Sequence, residues 1–412
     1  MVEFNNERTY LRELAKRYLE IANLPVMKER EALWYRHNAC EAERPIVVME
    51  MGTFEGDILP RHKCTSPYGQ RMEYTLLRAI LNHELIDDDK VVSPVFEVPL
   101  DISIIPFGLE MSRTFATDSK GQRLGYKDVH PINDLEEDFE KLGASVCRFD
   151  AEATRAYKQF VLDTLGDLMP VEETNHSMDW FFTISQHVIN LMGMEALMYA
   201  LYDVPDMVQK LYHFIADDMI SVLDWQESNG LLRLNTGNHY AGSGSYGFTN
   251  ELPKGNPVTR NMIWGNLNSQ ETVSISPAMF HEFIYPAYAK VAEQFALTYY
   301  GCCEPVHTIW EDIRNLPHLR KVSISPWCDE SFMGEVLQGG KVIYSRKPSP
   351  NFIGVGSDLD EDAYTKHIDQ TLKCAKGCEL EIIHRDIYTL SGNIAKAGRA
   401  VQIIRKEIDR LW

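Results

Sequence analysis

The sequence predicts an α/β fold, a (β/α)8 TIM barrel with an N-terminal helical extension. Three observations predict it. After position 150, short apolar runs alternate with amphipathic helical segments over about 250 residues, the rhythm of a parallel sheet with crossover helices. No G-x-G-x-x-G follows a strand and no G-x-x-x-x-G-K-[ST] occurs, so dinucleotide-binding and P-loop sheets lose their main support. No Pro/Gly/Ser-rich linker divides the 412 residues into independent units.

Residues 1–45 read as the helical extension. Tyr10, Leu11, Leu14, Ala15 and Tyr18 recur at three- and four-residue spacing and make one apolar face. The barrel then occupies 46–412. Residues 45–51 read as a buried strand, 69–84 as a helix, and 90–99 as two short β-rich runs around Pro94. Residues 110–145 are polar and turn-rich, with Gly121, Gly125 and Pro131. The acidic cluster from Asp134 to Glu140 reads as a solvated helix N-terminus. Helices are predicted at 151–166, 191–203, 205–230, 277–296, 305–315, 361–376 and 393–410. Strands are predicted at 181–185, 231–235, 262–266, 297–301, 320–325, 341–344 and 379–384, each short, apolar and bounded by turn residues.

Charge narrows the partners. The chain carries 41 Lys+Arg against 60 Asp+Glu, a net −19, which disfavours phosphate backbones and anionic membranes. No nucleic-acid or membrane role is expected. The first seventeen residues lack the apolar core of a secretory signal, which predicts the cytoplasm. The most apolar stretch, 181–202, is broken by Gln186, His187, Asn190 and Glu195 and reads as a buried helical region. In a reducing compartment the eight cysteines are thiols; five lie after position 300.

In such a barrel, chemistry sits where the strands end. Cys302, Cys303 and Glu304 follow one late strand, with His307 in the next turn. Cys328 follows another, behind Trp327. Arg346 and Lys347 close a third, and His384, Arg385 and Asp386 close the last. Earlier, His239 follows the run at 231–235, and Glu271 follows the run at 262–266. Thiols, imidazoles and carboxylates at successive strand ends are the ligand types of zinc. Arg346 and Lys347 could clamp a substrate carboxylate, and Tyr299, Tyr300 and Trp327 could wall an aromatic ligand. Cys374 and Cys378 precede the last strand and read as helix packing. No G-x-S-x-G elbow and no H-E-x-x-H occurs.

The run Tyr299-Tyr-Gly-Cys-Cys-Glu-Pro-Val-His307, the strand end Ser325-Pro-Trp-Cys328 and the close Glu381-Ile-Ile-His-Arg-Asp-Ile-Tyr-Thr389 resemble the uroporphyrinogen decarboxylase superfamily, and within it the corrinoid-dependent methyltransferase branch. The resemblance implies a zinc site at the barrel mouth, drawn from Cys302, Cys303, Glu304, Cys328, Glu271 and His384. It implies methyl transfer from a small methylated substrate, such as a methoxylated aromatic undergoing O-demethylation, to a corrinoid protein. His384, Asp386 or His307 would protonate the leaving oxygen, and Tyr299, Tyr300, Trp327, Arg346 and His239 would bind substrate. This chain holds no Asp-x-His-x-x-Gly segment, so the cobalamin belongs to a partner protein. The stretch from Met49 to Gly56 holds no arginine for porphyrinogen propionates. The alternatives are a carboxy-lyase acting on a smaller carboxylated substrate through Arg346 and Asp386, and a metal-free binding protein. A homodimer is the oligomer expected.

Overall fold

The computed structural model describes residues 2–117 and 123–412; Gly121 of the predicted turn-rich stretch lies outside them. Eight parallel strands form the barrel wall: β1 (Ile46–Met49), β2 (Phe96–Pro99), β3 (Val171–Thr174), β4 (Trp264–Leu267), β5 (Leu297–Tyr300), β6 (Leu319–Ile324), β7 (Ile343–Arg346) and β8 (Leu380–His384). Six of them pair in the order β1-β8-β7-β6-β5-β4, and β2 pairs with β3 in parallel. Pairing of the first strand with the last, Val48 opposite Ile383, is the closure of a barrel. The predicted barrel with N-terminal helices is the fold observed.

Two seams of the wall carry no ladder. At the β1–β2 seam, carboxylates take the place of the missing strand. Asp89 accepts the Val47 N–H and Asp88 accepts the Met49 N–H, at 2.9 and 2.8 Å. Arg44 and Arg405 in turn pair with Asp89. Burial alone would raise this carboxyl, but Arg44 and then Arg405 hold it below its ordinary value. Asp89→Ala strands the Val47 N–H and is expected to lower unfolding free energy by about 2–3 kcal/mol, read by urea denaturation.

At the β3–β4 seam runs the segment predicted as a strand at 231–235. It makes no ladder among the described residues. Asn175 donates to the Leu231 carbonyl, and the Asn235 side chain bonds both the N–H and the C=O of Trp264. The predicted strand at 181–185 is also corrected: Ile184–Met192 is a helix, and the strand lies earlier at Val171–Thr174. The polar sequence Val-Glu-Glu-Thr hid it. Glu173 is solvated and paired with Lys158 and Arg233, so the strand needs no apolar run.

The helices follow the predicted amphipathic pattern. α1 (Val2–Ala22) buries Leu11, Leu14, Ala15 and Tyr18 against Met72, Leu76 and Ile80 of α3 (Pro67–Leu85). α2 (Pro25–Asn38) closes the N-terminal end of the barrel with Trp34, His37 and Asn38. α4 (Glu361–Cys374) and α5 (Ala395–Leu411) cover β7, β8 and β1. Among the described residues no helix is long and apolar enough to cross a membrane.

The lumen is occupied by the chain's own hairpin, Tyr240–Gly242 paired antiparallel with Ser245–Tyr246. Gly242 lies against Tyr299 and Asn266, and Ser245 bonds Glu381 deep in the barrel. Phe248, just beyond, stacks on Trp34 of α2. A substrate therefore has only the outermost layer of the barrel to occupy.

Candidate active site

Strand alternation decides which predicted residues reach that layer. Inward positions are Val48 and Glu50 on the β1 line, Tyr299 on β5, Lys321 and Ser323 on β6, Ser345 and Lys347 on the β7 line, and Glu381, Ile383 and Arg385 on the β8 line. The intervening residues face the helices.

This parity corrects several expectations. Arg346 points out of the barrel, where it bonds the Ile324 and Ser325 carbonyls and pairs with Glu330, so it clamps no substrate. His384 is wholly buried between β8 and α4. Its Nε2 lies 2.5 Å from the Tyr364 hydroxyl, and burial pushes its pKa down to about 3. It is a neutral packing histidine. Tyr300 turns outward to Ser269 and Tyr288. Trp327 is 74% exposed and walls nothing. His239 stands on the β2 side, 3.5 Å from Glu97. His307 accepts the Asp329 backbone N–H. Cys374 and Cys378 lie away from the mouth, as read from the sequence, with Cys378 donating to the Gly334 carbonyl.

What the mouth does assemble is a set of two thiols, three cations and acids, and a buried amine. Cys302 and Cys303 have their sulfurs 3.6 Å apart, and Cys303 Sγ is 3.8 Å from Asp386 Oδ2. Either sulfur can donate to the other, and the Cys303 thiol also donates to Asp386. The hydrogen bond between them pushes the Cys302 thiol up and the Cys303 thiol down, while burial and the Asp386 charge pull Cys303 back up. Arg385 lies 3.3 Å from Glu50 and 3.2 Å from Asp386, over the ring of Trp180. Its Nη1 is buried and has no hydrogen-bond partner among the described residues. Asp386 adopts φ +58°, a left-handed conformation that turns its carboxylate back over the mouth.

Beneath this layer, the sequence reading gave Lys347 no role apart from Arg346. It is 2% exposed, and Nζ lies 2.6 Å from Ser345 Oγ. Ser345 Oγ is in turn 2.9 Å from the Tyr299 hydroxyl. Among the described residues no carboxylate forms an ion pair with Lys347. Burial pushes its pKa down to about 7, against the pull of Glu381. The signal was present in the sequence: Ser345 and Lys347 are two apart, so they share the inward face, and Arg346 cannot.

A second buried network lies lower. Lys321 Nζ sits 3.0 Å from Glu381 and 2.6 Å from Ser245 Oγ, and His37 of α2 contacts Glu381 at 3.1 Å. These groups tie hairpin, wall and helical extension together.

The hairpin turn shapes the mouth from within. Ser243 Oγ donates to the Gly301 carbonyl, and the Gly244 N–H donates to the Tyr240 hydroxyl. Gly244 has φ +85°, and a Cβ there would meet Ile383 Cγ2 at 2.6 Å and Glu50 at 3.7 Å. Gly244→Ala is expected to destabilise the fold by about 1–3 kcal/mol and to lower activity by pushing Ile383 and the hairpin turn apart beneath the mouth, checked by melting and turnover together.

The donors expected to hold zinc are dispersed. Both Glu304 oxygens accept backbone N–H groups, from Ser269 and Cys302 at 2.8 Å. Glu271 accepts the Ser185 hydroxyl, and Cys328 donates to the Glu304 carbonyl. Among the described residues no three His, Cys, Asp or Glu side chains form a group able to hold a metal. As placed, these six donors do not converge as the three protein ligands of a catalytic zinc or the four of a structural one.

No family model matches the chain, and no curated protein matches it. Among solved structures it is similar to a methyltransferase from Methanosarcina mazei, at 12% identity and a TM-score of 0.47, over 90% of this chain and 98% of that one. It is also similar to a B12-independent methionine synthase from a Shewanella species in complex with selenomethionine, at 10% identity and a TM-score of 0.30, over 76% of this chain and 78% of that one.

Proposed function

We propose that the barrel mouth transfers a methyl group from a small methylated substrate to a separate corrinoid protein. The observation that carries the reading is the Lys347–Ser345–Tyr299 chain directly beneath the mouth. Removing a methyl group from an ether leaves an alkoxide or phenolate, and that oxygen needs a proton. An amine titrating near 7 can supply it, and the Ser345 and Tyr299 hydroxyls hold the amine in place. The partner's corrinoid would supply the nucleophile for the methyl carbon.

Arg385 keeps a free Nη1 donor for an acceptor on the substrate, while Glu50 and Asp386 fix the guanidinium. The filled lumen excludes water from below, which strengthens each of these interactions. Above the mouth, Trp327, Val355 and Tyr388 are 74%, 65% and 71% exposed, on the loops after β6, β7 and β8. Exposed apolar groups beside a reaction centre suit a docked protein carrier.

The test combines the protein with a Co(I) corrinoid protein and a panel of methoxylated aromatics and other small methylated compounds, following the cobalt spectrum. The expected result is substrate-dependent methylation of cobalt with release of the demethylated product. Carbon dioxide release from a small carboxylated substrate, with no cobalt response to any methylated one, overturns the reading in favour of a lyase.

A further inference from the structure

We infer that Cys302 and Cys303 form a two-sulfur chelate that takes a trivalent metalloid, such as an organic arsenical. The backbone beneath them is pinned from three sides. Ser243 Oγ holds the Gly301 carbonyl at 2.7 Å, Ser323 Oγ holds the Cys302 carbonyl at 2.8 Å, and Glu304 holds the Cys302 N–H at 2.8 Å. Gly301 itself, at φ +101°, makes the turn that brings both sulfurs to one side. The pair is therefore set before any ligand arrives.

The sulfur separation of 3.6 Å selects the geometry of the ligand. With metal–thiolate bonds of about 2.3 Å, the angle at the bound atom is roughly 100°. That is too bent for linear two-coordination. A tetrahedral ion would have the right angle, but beside the two sulfurs only the Asp386 carboxylate lies near, and among the described residues no three such side chains form a group able to hold a metal. A pyramidal trivalent centre needs only the two sulfurs, because its third bond is to its own substituent. Cys302 is buried and Cys303 half-buried, so the ligand enters from the Cys303 side, beside Asp386.

Binding is a condensation without redox change. Two S–H bonds and two As–OH bonds break, two As–S bonds form, and two waters leave; arsenic stays trivalent. The probe is phenylarsine oxide, hydrated in water to the dihydroxy form. The native protein is expected to bind one equivalent, to lose two titratable thiols, and to release the adduct to 2,3-dimercaptopropanol but not to excess monothiol. Cys302→Ser and Cys303→Ser should each weaken retention against monothiol by about 100-fold, since one sulfur no longer holds what the other releases. Circular dichroism checks that both variants fold, and Cys303→Ala repeats the test with a smaller side chain. Cys374→Ser and Cys378→Ser should retain the adduct. Unchanged retention in Cys303→Ser and Cys303→Ala, or easy release from the native protein by monothiol, overturns the assignment. The readout is mass and thiol count, so it stands whether or not methyl transfer is observed.

Discussion

Lys347→Met lowers turnover by roughly 10²–10⁴-fold, the contribution of a positioned proton donor. The fold survives the change. Burying an ammonium costs desolvation energy, and an apolar side chain of similar length removes that cost, so the melting temperature should hold or rise. This separates a chemical role from a structural one. The pH profile gives the second readout. Because burial pushes Lys347 down to about 7, its protonated form is lost as pH rises through that value. Donor-limited activity therefore falls above about 7, far below the ordinary lysine range near 10.4. In Lys347→Met that limb disappears along with most of the rate. A variant with near-native turnover and an unchanged alkaline limb removes Lys347 from the mechanism.

The largest stability effect is expected at Lys321. Lys321→Met leaves Glu381 wholly buried beside His37 without its cation, an arrangement that costs about 3–5 kcal/mol. Among the described residues Glu381 Oε1 already has no hydrogen-bond partner, so little can compensate. The double variant Lys321→Met/Glu381→Gln removes the stranded charge and should recover more than half of the loss. Burial alone would raise Glu381, but Lys321 and His37 hold it well below the carboxylate range. Its contribution is thus complete above the unfolded value of about 4.3 and fades as pH falls through the much lower folded value. Guanidinium titrations at neutral pH and in acid measure both effects. A single variant within 1 kcal/mol of the native protein (an order-of-magnitude bound on an ordinary surface change) would show that the network carries little.

How much of this was legible depends on the type of signal. Six of the eight strands lie within a residue or two of where the pattern put them, because each carries buried apolar residues between turn signals even where Lys321, Ser345 or Glu381 faces the lumen. β3 was hidden because Glu172 is exposed and Glu173 is paired with Lys158 and Arg233. Residues 231–235 misled because an asparagine side chain can replace a ladder. At the site, residue type pointed to the correct strand ends but not to the correct member of each pair. Arg346 and His384 carry more expected chemistry than Lys347 and Arg385, yet the pleat turns the first two outward. Cys302 and Cys303 do both reach the mouth, because Gly301 ends the pleat before them. The lumen network of Lys321, Glu381 and His37 joins positions from opposite ends of the chain, and no local pattern reports it.

The hairpin seated in the lumen also constrains the order in which the chain can fold. Its residues sit midway along the sequence, while the last seam of the wall joins β1 to β8. Once that seam is zipped, the hairpin can enter only through an end of the barrel or through the β3–β4 seam, which carries no ladder. Placing the hairpin before the wall closes is the shorter route. The contacts that seal it are those of highest sequence separation, which pay the largest loop-closure entropy. The inserted segment acts as a mandrel on which the staves close, and any lesion that unseats it penalises assembly before it penalises the finished molecule.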